Sequence, residues 1–489
     1  MNCRRRLLGR HTALVKLCLW LVVGYGFVWL FVLHHELPSA HWSTPPIDEL
    51  GRPTFRYVKR YEKNLPQLRA LPSKGTDRPR YLFFAGAQSG SGWNNVLQEQ
   101  LLNNHLAHLS QRAYVFPHYV PEDDPRFPEM LANGTRSLIK IPINALVSGP
   151  TGGGPLSYDG RDSLARRAVP EEYWHTVCPP AEVVVVNLSE AMHEMELDGA
   201  SDGQEIMASW ADKLLKISAP CVSIEGGAPF DYMLTGSSRV LSIWPSYSHS
   251  PILKYFAWSP IVTAALFWNF HLLSQSPPPG FLVPFPGNPH KFESFPALHT
   301  SEQTIPGLLG IHVRRGDYES HCVFLAEVGA TYNAWSLLGT PGISNWSSTL
   351  PDYVWPALPD YLDVPPGQSL KAAKIDHCWP SPAAIVARAH KVREGTARRQ
   401  ALRRIYISTN GDPAWVRDLT ALLTVDGWEV SSSLDMVLTL EGRAVSQAVD
   451  MGVLTSAESF IGVGFSSLTS NVVQLRLAGG RHPDTIHFW

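Results

Sequence analysis

Two arginines at the end of a strand are the first residues in this chain that suggest chemistry. Leu308-Leu-Gly-Ile-His-Val reads as a buried strand and runs straight into His312-Val-Arg-Arg-Gly-Asp-Tyr. Strand ends are where an open α/β sheet presents functional groups. Guanidinium groups are planar, permanently charged and offer paired donors. Arg314 and Arg315 together could therefore grip a diphosphate, which lysines would do less well. The structural alternative is an ion pair, for example Arg315 with Asp317.

Two further clusters have matching chemistry. Gly90-Ser-Gly-Trp-Asn-Asn opens a helix, so its backbone N–H groups could face a polar ligand, and the amides of Asn94 and Asn95 can both donate and accept. Asn94 as a simple helix N-cap is the alternative. Near the C-terminus, Ser446-Gln-Ala-Val-Asp-Met is followed by Phe460-Ile-Gly-Val-Gly-Phe-Ser-Ser-Leu-Thr-Ser-Asn. Asp450 lies on a helix among mostly apolar neighbours, so its carboxylate needs a specific partner. Guanine, with N1–H and a 2-amino group side by side, is one; an internal ion pair is another. Ser466, Ser467 and Thr469 stand at a helix start, where hydroxyls and backbone N–H groups suit phosphate. The alternative for them is helix capping.

The elements that must position these residues alternate in type. A strand at Arg80-Tyr-Leu-Phe-Phe-Ala-Gly is followed by a helix over Asn94 to Gln111 and a strand at Ala113-Tyr-Val-Phe-Pro. Strands are also expected at Glu182-Val-Val-Val-Val-Asn, Cys221-Val-Ser-Ile, Arg404-Ile-Tyr-Ile-Ser-Thr and Ser459-Phe-Ile-Gly. Helices are expected over Pro413 to Leu423, Val445 to Ser456 and Ser467 to Leu477. This order predicts two parallel α/β halves with a cleft between them, where ligands bind beyond the carboxyl ends of the strands. The Pro- and Gly-rich stretch Pro277 to Pro289 is the expected junction, and residues 333–370 read as a long insertion.

The N-terminus carries a topological signal. Arg4, Arg5, Arg6 and Arg10 precede the apolar run Leu17 to Leu33. The spacing predicts a signal anchor over 13–33, after a cytosolic tail of residues 1–12 and before a stem over 34–76, with everything after His34 in the lumen. A cleaved signal peptide is disfavoured by the length of the run and by the lack of a small-x-small cleavage site. Cys178, Cys221, Cys322 and Cys378 suit an oxidising compartment. Of their three possible pairings, Cys178–Cys221 and Cys322–Cys378 keep each bond within one half. Asn133-Gly-Thr, Asn187-Leu-Ser and Asn345-Trp-Ser fit the N-glycosylation pattern. The net charge of -2 gives no basic excess for nucleic acid, and none is expected as a partner.

Taken in order, these motifs resemble the GDP-fucose protein O-fucosyltransferase family and the wider GT-B fucosyltransferases. The shared features are Gly92-Trp93-Asn94-Asn95 after the first strand, His312-x-Arg314-Arg315, and Asp450 upstream of Phe460-Ile-Gly-x-x-x-Ser466-Ser467-x-Thr469. The resemblance spans about Arg80 to Leu477. It implies a GT-B fold, with an acceptor-side Rossmann-like domain over 77–285 and a GDP-sugar-binding one over 286–489. It also implies inverting transfer from GDP-β-L-fucose to a protein hydroxyl. Arg314 would then neutralise the departing β-phosphate, His312 and Arg315 would support the pocket, and Asp450 would read guanine. Ser466 and Ser467 would hold the diphosphate, and Asn94 and Asn95 would sit by the fucose and the acceptor hydroxyl. Glu99 is a candidate base. Val96 stands where many relatives have glutamine, which bears on how the acceptor side is built. A glycan acceptor, another GDP-sugar, or a silent nucleotide-binding scaffold are the other functions compatible with these motifs. No Asp-x-Asp triplet occurs anywhere in the chain, so no metal is expected and arginine is the charge stabiliser. The expected location is the endoplasmic reticulum or Golgi membrane, attached through residues 13–33. Accordingly, protease added to intact microsomes should leave residues 34–489 uncut, and digestion of the body without detergent would refute the orientation.

Overall fold

The computed structural model describes residues 52–489 except 70–78, 87–90, 122–128, 131–135, 138–139, 276–303, 339, 341–354, 357, 359–361, 363 and 396–401. The expected cytosolic tail and anchor, and the Pro277–Pro289 junction, lie outside the described residues. Among those residues no helix is long and apolar enough to cross a membrane.

The first half begins before its first strand. Helix α1, Phe55–Lys63, buries Phe55, Tyr57, Val58 and Glu62. Asn144 Nδ2 donates to Glu62 Oε1 at 3.2 Å, and Gln67 Nε2 donates to the carbonyls of Gly153 (2.9 Å) and Ala168 (2.7 Å). This corrects the expectation of a stem reaching residue 76: residues 55–69 form part of the folded body. The signal was weak because the apolar positions of α1 are interleaved with lysine and arginine.

Strand β1 (Tyr81–Phe84), helix α2 (Trp93–Leu109) and strands β2 (Ala113–Phe116), β3 (Val169–Pro170) and β4 (Val183–Asn187) follow. Then come helices α3 (Leu188–Glu194) and α4 (Gly203–Lys216), strand β5 (Cys221–Glu225) and helix α5 (Pro260–Trp268). The strands form one parallel sheet in the order β3-β2-β1-β5-β4. Beyond α5, Asn269 exchanges two hydrogen bonds with the backbone of Val437, and Trp258 Nε1 donates to Thr455 Oγ1 at 3.4 Å. The segment from Trp258 to Asn269, within the expected first domain, thus also bonds to the second half.

The second half consists of β6 (Ile305–Val313), α6 (Tyr318–Glu327), β7 (Arg404–Thr409), α7 (Pro413–Val425), β8 (Glu429–Ser432), α8 (Ser446–Ser456), β9 (Ala457–Gly462), α9 (Ser467–Ala478) and β10 (Ile486–Phe488). Its sheet is also parallel, in the order β8-β7-β6-β9-β10. Strand order reverses between β6 and β9, so a crevice opens beyond their carboxyl ends. Continuous apolar strands such as Leu308 to Val313 suit a sheet buried on both faces. The disulfides Cys178–Cys221 and Cys322–Cys378 each close within one half, as expected.

Each half also contains a buried arginine that staples backbone carbonyls. Arg112 donates to the carbonyls of Tyr81, Leu214, Ile217 and Ala219 at 2.6–3.4 Å. Arg476 is fully buried and donates to the carbonyls of Leu454, Ala457, Glu458 and Thr485 at 2.7–3.3 Å. Burial pushes its pKa down to about 9. A buried acceptor left without a donor costs about 1–3 kcal/mol. Arg476→Met should therefore cost on the order of 3 kcal/mol or more. Chemical denaturation of the two proteins would measure it, and an unchanged midpoint would show that the staple is dispensable.

Candidate active site at the crevice between the halves

The two arginines after β6 have different surroundings. Arg314 is about one third exposed. Its guanidinium lies 4.8 Å from the Tyr318 ring centre and 4.0 Å from Asp317 Oδ1. It borders an open depression of about 550 Å³ that also includes Tyr318, His321 and Phe324. Arg315 is buried between two indoles, 4.3 Å from Trp379 and 4.3 Å from Trp415. Its Nη1 donates to the Arg314 carbonyl at 2.9 Å, and Nη2 donates to the Pro380 carbonyl. Two expectations are corrected here. Arg315 does not pair with Asp317, and it has no free fork for a diphosphate. It supports the turn instead, together with Asn410, whose amide bonds both the N–H and the carbonyl of Arg315.

His312 is buried, with Nδ1 2.9 Å from Thr469 Oγ1. Burial, then the charge of Arg314, lowers its pKa to about 3. It is neutral at physiological pH and serves as a hydrogen-bonding strut. Thr469 is equally buried, so its hydroxyl braces His312 and is not presented to a phosphate.

The turn from β9 into α9 is tight. A Cβ on Gly464 would lie 2.6 Å from the Tyr332 ring, and one on Gly462 would lie 2.5 Å from Thr469. Only glycine fits either position. Ser466 is the N-cap residue, yet its hydroxyl makes no capping bond, contrary to the capping alternative. The first amides of α9 have no carbonyl partner within the helix. Together with Ser466 and Ser467 they form an anion-compatible end directly beside the β6 turn.

Asp450 faces β7. Its Oδ1 accepts from Tyr406 at 2.6 Å and its Oδ2 from Ser408 at 2.9 Å. The residue is only partly buried, so part of its surface stays open. Burial pushes its pKa up to about 6, against the opposing pull of the two hydroxyls. Tyr406 keeps its proton, because burial and the Asp450 charge raise its pKa well above the usual value. The partner is therefore a pair of hydroxyls rather than the alternative ion pair, which leaves carboxylate lone pairs for an outside donor.

The facing wall is the first turn of α2. Gly92 is the N-cap, so Asn94 is not. Asn471 Nδ2 donates to the Asn94 carbonyl (2.8 Å) and to Asn94 Oδ1 (3.1 Å), and Gln474 Nε2 holds Asn471 Oδ1 at 2.6 Å. Asn94 Nδ2 donates to Gln447 Oε1 at 3.2 Å, one helical turn before Asp450. One turn along α2, Gln98 donates to Asn333 Oδ1 and Ser470 Oγ, each at 2.9 Å. Trp93 is buried, with its ring centre 5.3 Å from that of Tyr119. Asn95 stays partly exposed at the helix start. Glu99 turns inward: it is buried, accepts from Asn103 Nδ2 at 3.3 Å, and its charge adds to burial in raising the pKa of Tyr114. It cannot reach an acceptor at the helix start. Sequence reading missed Gln98, Gln447, Asn471 and Gln474. Their one visible trace was polar residues at i, i+3 or i, i+4 spacing along the helices.

No protein-family model and no curated protein sequence matches the chain. Solved structures do match. One structure of POFUT1 in complex with GDP-fucose superposes with a TM-score of 0.50 at 13% identity, covering 85% of this chain and 99% of that one. A second, also with GDP-fucose, gives 0.49 at 14% identity, covering 86% and 99%. The chain has a fold like that of POFUT1, a mixed α/β architecture with parallel sheets.

The state of Asp450 gives a pH signature. Its folded pKa is raised, so the free protein prefers it protonated, and that preference is lost as pH rises through about 6. A ligand that donates two hydrogen bonds needs the ionised form. Affinity for such a ligand, probed with GDP, should therefore fall as pH drops through about 6. Asp450→Asn should abolish that dependence and weaken GDP by roughly ten- to a hundredfold, without lowering the melting temperature at pH 7.5. Calorimetric titration across pH 5–8 checks it. An unchanged affinity in Asp450→Asn would remove Asp450 from the site.

Proposed function

We propose that this chain is a luminal glycosyltransferase that moves fucose from GDP-fucose to an acceptor hydroxyl with inversion. One observation carries the reading. A partly exposed arginine after β6, two serines at the start of α9 after β9, and a carboxylate bonded to the end of β7 stand at the carboxyl ends of neighbouring strands of one parallel sheet, and Asn94 of α2 bonds across to α8 and α9 beside them. This arrangement suits a guanosine diphosphate whose sugar points at the start of α2. The likeness of fold to POFUT1, solved with GDP-fucose, supports that donor class. The two disulfides support an oxidising lumen.

In this mechanism the acceptor oxygen attacks the anomeric carbon from the face opposite the diphosphate. The C–O bond to the β-phosphate breaks, and its electron pair stays on the phosphate oxygen. Arg314 and the α9 amides stabilise the charge that develops there. Asn95 is placed to orient the acceptor or the sugar. With Glu99 turned away, the acceptor proton passes to water as the new C–O bond forms. Because fixed cationic groups meet the leaving charge, transfer proceeds without a metal, and turnover should survive EDTA.

Arg314 is the test. Its loss removes stabilisation realised mainly in the transition state, so Arg314→Ala should lower turnover by about 10²–10³. Arg314→Lys should recover little, because an ammonium lacks the planar pair of donors. Arg315→Met, by contrast, should lower the melting temperature more than it lowers turnover. Release of fucose or its transfer to acceptor, measured beside melting curves, separates these outcomes. Near-normal turnover in Arg314→Ala would sink the assignment.

A further inference from the structure

The outer strand β4 of the first sheet leaves one edge open. β4 pairs with β5 along Val183–Asn187, and among the described residues nothing pairs with its other edge. Natural edge strands are usually guarded by lysine, proline or a bulge. β4 reads Val-Val-Val-Val-Asn, and Val184 and Val185 are 39% and 55% exposed. An open groove of about 410 Å³ runs beside the strand, lined by Val185, Asn187, Glu190, Glu194, Lys213 and Ile217 among others.

Asn187, at the end of this groove, begins the triplet Asn187-Leu188-Ser189, and both Asn187 and Ser189 are exposed. Asn187 Oδ1 accepts from the Glu190 N–H at 3.1 Å and caps α3. The cap uses only the oxygen. The nitrogen lies on the side of Gly226, where even an added Cβ would sit 4.0 Å away.

We propose that Asn187 carries an N-linked glycan whose first sugars lie in this groove and cover the β4 edge. In the reaction, the Asn187 amide nitrogen bonds to the anomeric carbon of a lipid-diphosphate-linked oligosaccharide. The carbon–oxygen bond to the diphosphate breaks, the diphosphate departs with the electron pair, and one amide proton is lost to base. The oxygen is untouched, so the α3 cap survives modification. The groove suits a sugar: Val185 and Ile217 offer an apolar floor for the carbon face of a pyranose. Glu190, Glu194 and Lys213 at the rim offer partners for its hydroxyls. Asn133 and Asn345, which begin the other two triplets, lie outside the described residues.

The test uses the full chain produced in glycosylating eukaryotic cells. Peptide N-glycosidase digestion in heavy-oxygen water should convert Asn187 to labelled aspartate in the parent protein. Ser189→Ala removes the acceptor pattern but keeps the Asn187 cap, so it should lose one glycan's mobility shift while keeping GDP affinity and turnover. It should also form soluble oligomers, and adding Val185→Lys should return it to monomer. An unlabelled Asn187 in protein whose other modified asparagines carry the label would overturn the proposal. So would a Ser189→Ala protein as monomeric as its parent.

Discussion

The grip of the Asn471 amide on the first turn of α2 is the contact on which the crevice depends. It reaches from α9, whose N-terminus faces the crevice, to α2, whose N-terminus forms the opposite wall. Gln98 repeats the connection one turn deeper, through Ser470 and Asn333. The clasp is built from amides and hydroxyls without a charge. An ionic clasp would carry a large desolvation cost at this depth, whereas neutral partners need only satisfy one another. Half-satisfied, such a network would be worse than an apolar seam, and that condition fixes the register of the two helices. Aromatic packing of Trp335 on Trp244 and Tyr247 closes the same seam from the side.

Charge is then placed where it has work to do. Arg112, Arg315 and Arg476 are buried and spend their donors on backbone carbonyls, so they act as staples. Arg314 alone of this set stays partly open, steadied by Tyr318 beneath it. Identical side chains thus divide into scaffold and candidate chemistry by what surrounds them. Burial makes the same division among the titratable groups. His312 is kept neutral, while Asp450 is held near the point of ionisation by competition between desolvation and two hydroxyl donors.

Much of the architecture was legible before any coordinates. Apolar runs ending in glycine or polar turns marked β1, β6, β7 and β9, because a doubly covered parallel strand must be apolar throughout. The short outer strands β3, β8 and β10 were not legible, since two to four residues give no period. Helix α1 was read as part of a stem because its buried aromatic face is masked by neighbouring basic residues.

For the site, the sequence by itself determined which residue types stand at which strand and helix ends: Arg314 after β6, Asp450 on α8, Ser466 and Ser467 before α9, the asparagine pair opening α2. These follow from local chain order, and local order is what a sequence records. Only the tertiary structure decided which of them remain free to meet a ligand. Arg315 is sandwiched by Trp379 and Trp415, Thr469 is taken by His312, Asn94 is bound by Asn471, and Glu99 is turned behind its own helix. Each outcome depends on a partner 64 or more positions away or on the rotation of a helix about its axis. A side chain's freedom is a property of the packing around it, and that packing is set by contacts remote in the chain.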